Sequence, residues 1–357
     1  MDQAFASAFT VGIEEELLLV DPETRRLAAI AAEVLSRMEL PEATASHEAY
    51  AAQIELRSPP CRDAADARAA LASARAAARG AGATLLGAGL HPAAEPGETA
   101  IVDTERYRRV ADAMRGLFGR TPECALHVHV GMPDADAAIR AYNGLRAQLP
   151  LLQALTASSP WWFGRDSGLA SARYSLVRSY PGRGVPPAFR DFEDYATHVE
   201  RECAAAAVGD YTLLWWDVRP HPRLGTVEVR EMDAQSSVED CAGVATLIQG
   251  LAAAEAESAA DELPSTQAIG WSCFRAARDG LEATILQDGS LTPAREVARA
   301  AIERVRPFAA DLRSEPALDR VERLVAEGGG AGCQRAAHAR GGMDGLLDHL
   351  VRETAAA

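Results

Sequence analysis

The sequence predicts an α+β fold, and three observations carry that prediction. Short β-branched or aliphatic runs recur through the first two thirds, at 11–20, 54–58, 124–131, 213–219 and 226–230. Polar residues, prolines or a Pro/Gly loop bound them, as strands rather than helices require. From Val238 onward every segment reads as helix, rich in Ala, Leu and Arg. No repeat and no linker separates the two halves. Residues 1–357 are therefore expected to form one domain, sheet-rich over 1–237 and helical over 238–357.

The first strand is the most informative stretch. Val11–Val20 is apolar at both ends and carries Glu14, Glu15 and Glu16 in its middle. Alternation puts Glu14 and Glu16 on one face and Glu15 on the other. Two unpaired carboxylates on a mostly buried strand repel each other and are costly to desolvate. A hard divalent cation such as Mg²⁺ or Mn²⁺ removes that cost. The alternative is an exposed edge strand whose charges simply meet water.

The remaining elements follow in order. Asp21–Thr24 is a turn, a short strand is expected around 26–30, and 32–38 is helical. The second half of His47–Ser58 is a strand halted by Pro59-Pro60. Arg62–Arg79 is an Ala-rich helix ending at Gly80, 84–87 a strand, and 105–118 a helix. Cys124–Gly131 is a strand, and 134–155 a long helix with a kink or break expected at Pro150. Residues 156–190 are the least regular. Their tryptophans and interleaved arginines favour an ordered substrate loop, with 159–168 a candidate lid. A helix over 192–207 precedes the strand pair 213–219 and 226–230. Helices are then expected at 238–262, 273–287, 293–313, 316–326 and 343–354, with Gly328–Gly330 a break.

Composition excludes several function classes. Thirty-six basic against 51 acidic residues give a net charge of −15, the wrong sign for nucleic acid or an anionic membrane. No apolar run approaches the ~20 residues of a membrane span, and with Asp2 and no basic region leading into an apolar core, no signal peptide is expected. The six cysteines, at 61, 124, 203, 241, 273 and 333, form no Cys-x-x-Cys pair, so a reduced cytoplasmic protein is expected. The Ala/Leu-rich helices offer apolar faces on which a homodimer is expected to form.

Each candidate site residue has a plain alternative. Glu48 and Glu55 are surface charges unless the strand carrying Glu55 is buried, as its neighbours Ile54 and Leu56 imply. His127 and His129 alternate with Val128 and Val130 and so share a face. They are either core histidines or ligands for a metal or phosphate. Glu228 and Arg230 share a face as well, as a structural ion pair or as site residues. The pairs Trp161-Trp162 and Trp215-Trp216 are core or pocket-wall aromatics. Taken together, several strands each deliver acidic, His or Arg groups to one face. That suits an ATP site in which divalent ions bridge phosphates and arginines take up developing charge. Neither a Gly-x-x-x-x-Gly-Lys-Ser/Thr loop nor a dinucleotide fingerprint is present.

Those residues carry a family resemblance. The chain resembles the carboxylate–amine ligases, or type 2 glutamate–cysteine ligases, of the glutamine-synthetase-like superfamily. The resemblance rests on Gly12–Glu16, Tyr50–Glu55, Leu90-His91-Pro92 and His127–Gly131. It continues through Ser159–Gly164, Ser171-Ala172-Arg173, Trp215–Pro220, Thr226–Arg230, Arg275–Leu281 and Gly330–Arg335. It implies a curved antiparallel sheet as the active-site wall with helices behind it. It implies ATP as substrate and two or three Mg²⁺ or Mn²⁺ ions, one site formed by Glu14, Glu48 and Glu55 and another by Glu16, His127 and Glu228. It implies catalytic roles for Arg230 and Arg173, and substrate or ATP contacts from His129, Arg219, Arg230, Arg173, Trp161 and Trp216. The family more often has Asn and Tyr where this chain has Ser272 and Asp279. The activity implied is ATP-dependent amide formation between small-molecule substrates through an acyl phosphate, glutamate plus cysteine by default. A different substrate pair, a guanido or carboxylate kinase on the same fold, and a catalytically silent nucleotide-binding protein are the rivals.

Overall fold

A computed structural model of the chain describes residues 4–39, 44–257, 263–287 and 289–356. Strand β1 (Val11–Leu19) is followed by helix α1 (Ala31–Arg37), β2 (Ala45–His47), β3 (Gln53–Arg57), α2 (Ala64–Gly80) and β4 (Leu85–Leu86). Helix α3 (Glu105–Met114), β5 (Leu126–Gly131) and α4 (Ala135–Thr156) come next. The hairpin β6 (Trp161–Trp162) and β7 (Arg165–Asp166) leads to α5 (Ala172–Val177) and α6 (Phe192–Ala205). Strands β8 (Val218–His221) and β9 (Thr226–Val229) precede α7 (Val238–Glu257) and α8 (Thr266–Asp279). A second hairpin, β10 (Thr284–Gln287) and β11 (Ser290–Pro293), leads to α9 (Ala294–Asp311), α10 (Glu315–Glu327) and α11 (Gly329–Ala355).

The main sheet is antiparallel, in the order β2-β3-β1-β5-β9-β8, with β4 also beside β1. Its register decides which side chains meet. Glu16 lies opposite Glu55, Glu14 opposite His127, His129 opposite Glu228, and Glu228 opposite Arg219. Directly opposed residues of an antiparallel pair project from the same face, so these strands build one polar wall.

The other face is the core side. Ile13, Val128, Val130, Val227 and Val229 pack with α4 and α7, while Leu17, Leu19, Ile54 and Leu56 pack with α2. Glu15 points into this apolar side and is fully buried. Arg75, from α2 and equally buried, meets it with Nε at 2.9 Å and Nη2 at 2.6 Å from its two oxygens. Two parallel charge-assisted hydrogen bonds are what make an ion pair tolerable there.

The structure departs from the sequence expectations at definite places. At 26–30 there is only a single bridge, Leu27 to Val20. Helix α4 runs on through Pro150 to Thr156. The first strand of the pair expected at 213–219 begins only at Val218, after a 3₁₀ turn at Tyr211–Leu213. The irregular 156–190 segment contains the hairpin and α5, the latter capped by the Ser171 hydroxyl, which accepts from Tyr174 N at 3.2 Å. The tail is not all helix. Gly280, at φ +58°, ends α8, and the β-branched Thr284, Ile285 and Thr292 then form a hairpin where a helix to 287 was expected. Among Gly328–Gly330 only Gly328, left-handed at φ +106°, separates helices, and α11 starts at once and kinks at Gly341-Gly342. The expected helix end at 258–262 lies outside the described residues. Among the described residues no helix is long and apolar enough to cross a membrane.

Candidate active site

The polar wall lines a cavity of about 370 Å³. β1 delivers Glu14 and Glu16, β3 Glu55, β5 His127 and His129, and β9 Glu228, with Arg230 just beyond it. The segment after β2 adds Glu48, whose Oε1 accepts from the Tyr107 hydroxyl at 3.2 Å. Arg173, on α5, and Arg219, on β8, line the cavity as well.

Among the described residues, donor atoms converge in three overlapping groups, each within 4.8 Å: Glu16–Glu48–Glu55, Glu14–Glu55–His127 and Glu14–His129–Glu228. The family resemblance implied two groups instead, with His127 alongside Glu16 and Glu228. Here His127 Nδ1 is 3.3 Å from Glu14 and its Nε2 3.9 Å from Glu16, while His129 Nε2 is 3.6 Å from Glu14 and 3.7 Å from Glu228. One oxygen of Glu16 accepts from Ala125 N at 2.8 Å and Gln53 Nε2 at 3.4 Å, which fixes the carboxylate while its other oxygen remains for the cavity.

The electrostatics follow from crowding like charges under a buried roof. Burial and the Glu48 carboxylate push Glu16 well above the usual range. Burial with Glu14 and Glu48 pushes Glu55 up to about 7. Burial would also raise Glu14, but the hydrogen bond with His127 and the nearby His129 imidazole outweigh it and hold Glu14 well below the usual range. Burial and the Arg230 charge push His127 down to about 4, so its imidazole is neutral and can act as a ligand at neutral pH. Glu228 is held well down because Arg230 and Arg219 outweigh its burial. Arg219 Nε donates to one of its oxygens at 2.7 Å and Arg230 Nη1 to the other.

Two residues assigned to substrate contacts lie elsewhere. Trp161 stacks on His338 with ring centroids 4.0 Å apart and packs with Leu18, Leu86 and Leu346. Trp216 packs beside Phe189 and His198 in the core. Its neighbour Trp215 lines the cavity instead, because adjacent residues of an extended segment face opposite ways. No described residue of the candidate lid 159–168 lines the cavity. That hairpin is held at Asp166, which accepts from Arg335 at 2.9 and 2.8 Å. Ser272 lies outside as well: its hydroxyl accepts from Leu286 N and Arg275 Nη2, tying α8 to the second hairpin. Sequence reasoning missed Glu123 and Tyr180, did not single out Arg183, and chose Trp216 rather than Trp215 of the tryptophan pair as the contact. The signals for Arg183 were its place among the interleaved arginines of the irregular segment and between Gly182 and Gly184.

With this geometry in view, the likenesses to known proteins agree in one direction. Two proteins of Rubrobacter xylanophilus, provisionally named glutamate–cysteine ligases 2-3 and 2-1, are 40% and 36% identical to the chain. The first match covers 97% of both chains, the second 94% of this chain and 92% of the relative. The fold is shared with the crystal structure of Francisella tularensis glutamate–cysteine ligase in complex with AMP. That match has a TM-score of 0.74 at 13% identity and covers 99% of this chain and 90% of the other. It is shared too with a bifunctional glutathione synthetase of Pasteurella multocida, at a TM-score of 0.67 and 14% identity, over 98% of this chain and 52% of the other. The profile of glutamate–cysteine ligase family 2 matches residues 10–353, and the chain belongs to that family of ATP-dependent ligases.

Proposed function

We propose that the chain joins the carboxylate of one amino acid to the amine of a second substrate at the expense of ATP, with glutamate and cysteine as the default pair. The observation that carries this reading is the single wall on which carboxylates, imidazoles and arginines converge beside a cavity. A carboxylate is a poor electrophile, since its charge repels nucleophiles and oxide does not leave. Attack of a carboxylate oxygen on the γ-phosphorus, with cleavage of the β–γ bridging bond, releases ADP and leaves an acyl phosphate. The amine nitrogen then attacks the acyl carbon, phosphate departs, and the nitrogen loses a proton.

The donor set fits divalent ions of the Mg²⁺ or Mn²⁺ class: hard oxygens with one or two imidazoles, crowded closely enough that Glu16 and Glu55 resist ionising together. Glu14, Glu16, Glu48, Glu55, His127 and Glu228 would hold two or three of them, with His129 a further ligand in the group it forms with Glu14 and Glu228. Such ions would neutralise the triphosphate and polarise the transferring phosphoryl group. Arg230 and Arg219 supply positive charge beside Glu228, and Arg230 steadies the phosphoryl oxygens as charge develops on them. Arg173 orients the substrate. The whole chain acts as one catalytic unit in the cytoplasm and as a homodimer through its helical half. A strictly monomeric sedimentation profile at micromolar concentration would contradict the dimer.

The test is ADP release across panels of acids and amines, with and without chelator. A ligase needs both co-substrates and the metal. Release with the acid alone at the full rate indicates a kinase. No release with any pair, or full turnover in chelator, removes the proposal.

A further inference from the structure

The irregular segment after α4 sends its tryptophans away from the cavity and two of its arginines, Arg173 and Arg183, into the cavity wall. Arg173 is partly engaged. Its Nη1 donates to Glu231 O at 2.8 Å and lies 3.5 Å from Asp233. Asp233 is already taken by Ser158 N, the Ser159 hydroxyl and the Ser171 hydroxyl, at 2.9, 2.7 and 3.0 Å.

Arg183 is far less engaged. Among the described residues its one ion-pair partner is Asp217, 3.8 Å from Nε, whose other oxygen lies 2.7 Å from Arg178, while the carboxylates of Glu123 and Glu231 act on it from farther away. Neither Nε nor Nη2 of Arg183 has a hydrogen-bond partner among the described residues, although only 9% of the side chain is exposed. Burial and the nearby Arg173 charge push Arg183 down to about 10, so it remains cationic at neutral pH. A buried guanidinium with so loose a partner carries a desolvation cost that a ligand anion would offset.

The backbone holds it ready. Arg183 N donates to Tyr180 O at 3.2 Å and Asp217 N to Gly184 O at 3.0 Å. The flanking Gly182 and Gly184 sit at φ +71° and +139°, which L side chains adopt only under strain. The planar fork is thus positioned in advance, and it matches a carboxylate better than it matches a single point of charge.

We propose that Arg183, with Arg173 beside it, binds a spectator carboxylate of the substrates, one that is neither phosphorylated nor attacked. The proposal rests on the ligase reading and makes the site selective for a substrate with an acid group beyond those that react. The spectator belongs either to the acid, as the α-carboxylate of glutamate does, or to the amine, as the carboxylate of cysteine does.

Two decarboxylated analogues separate these sources. Binding of L-glutamate against 4-aminobutyrate, and of L-cysteine against cysteamine, is measured by titration calorimetry with Mg²⁺ and a non-hydrolysable ATP analogue present. ADP release is followed in parallel. The wild type should prefer one carboxylated partner by ~10–10²-fold, the range expected for a charge-assisted contact. Arg183→Gln should abolish that preference and leave nucleotide affinity unchanged, and Arg183→Lys should restore part of it. Loss in the glutamate arm assigns the contact to the acid; loss in the cysteine arm assigns it to the amine. The loose pairing of Arg183 predicts that the Gln variant melts no lower than wild type. The inference is overturned if the wild type discriminates in neither arm, if Arg183→Gln discriminates as wild type does, or if it weakens nucleotide binding instead. Absence of ADP release with intact discrimination would count against the ligase reading alone, since the binding readout does not depend on turnover.

Discussion

Glu228→Gln separates a metal ligand from a structural ion pair. The side chain is 1% exposed and meets Arg219 at 2.7 Å, Arg230 through its other oxygen, and His129 at 3.7 Å. Glutamine keeps the shape but removes the charge, and its NH₂ must face a guanidinium N–H where an acceptor stood. Two buried cations then lose their counter-charge, which should cost about 3–5 kcal/mol in metal-free protein. If Glu228 also holds a divalent ion with Glu14 and His129, a second effect is superimposed. Metal at 100 times its dissociation constant stabilises the wild type by about 2.7 kcal/mol. At the same concentration the variant should gain less, and its half-saturating Mg²⁺ for ADP release should rise at least ~10-fold. Denaturant unfolding with and without Mg²⁺, alongside metal titrations of turnover, reads both effects. A variant that loses its 3–5 kcal/mol but shows the wild-type metal increment and half-saturation would refute the ligand role and leave Glu228 as scaffold.

Two further outcomes are expected. Arg230→Lys should remain folded but lose on the order of 10²-fold in ADP release, because an ammonium does not reproduce the planar guanidinium contact; normal turnover in a folded variant would place Arg230 outside the chemistry. Arg75→Met should destabilise by roughly 3–5 kcal/mol by stranding the fully buried Glu15, and adding Glu15→Leu should recover most of the loss, as a double-mutant unfolding cycle can show.

Much of the site was legible because strand geometry is local. Period-two alternation alone put Glu14 and Glu16 together, sent Glu15 the other way, and paired His127 with His129. The structure bears out each of these. Isolated residues near no strong pattern, such as Glu48, could be placed only by resemblance to a family. The tail misled because Thr284–Gln287 reads as running on from the helix before it, although Asp279-Gly280 and Asp288-Gly289 flank it in the sequence as turn signals.

The sequence by itself therefore determined the α+β class, the strands that carry the site, and the face each of their side chains takes. These depend on nearest neighbours along one chain. Tertiary structure decided the rest, because it depends on register and on contacts across large sequence separations. Pairing of β1 with β3 and β5 brought Glu16 opposite Glu55 and Glu14 opposite His127. Packing chose Arg75, sixty residues away, as the partner of Glu15. It also sorted the irregular loop, because burying an indole is favourable whereas a guanidinium needs a polar surface. Trp161 accordingly went to the apolar layer and Arg183 to the cavity.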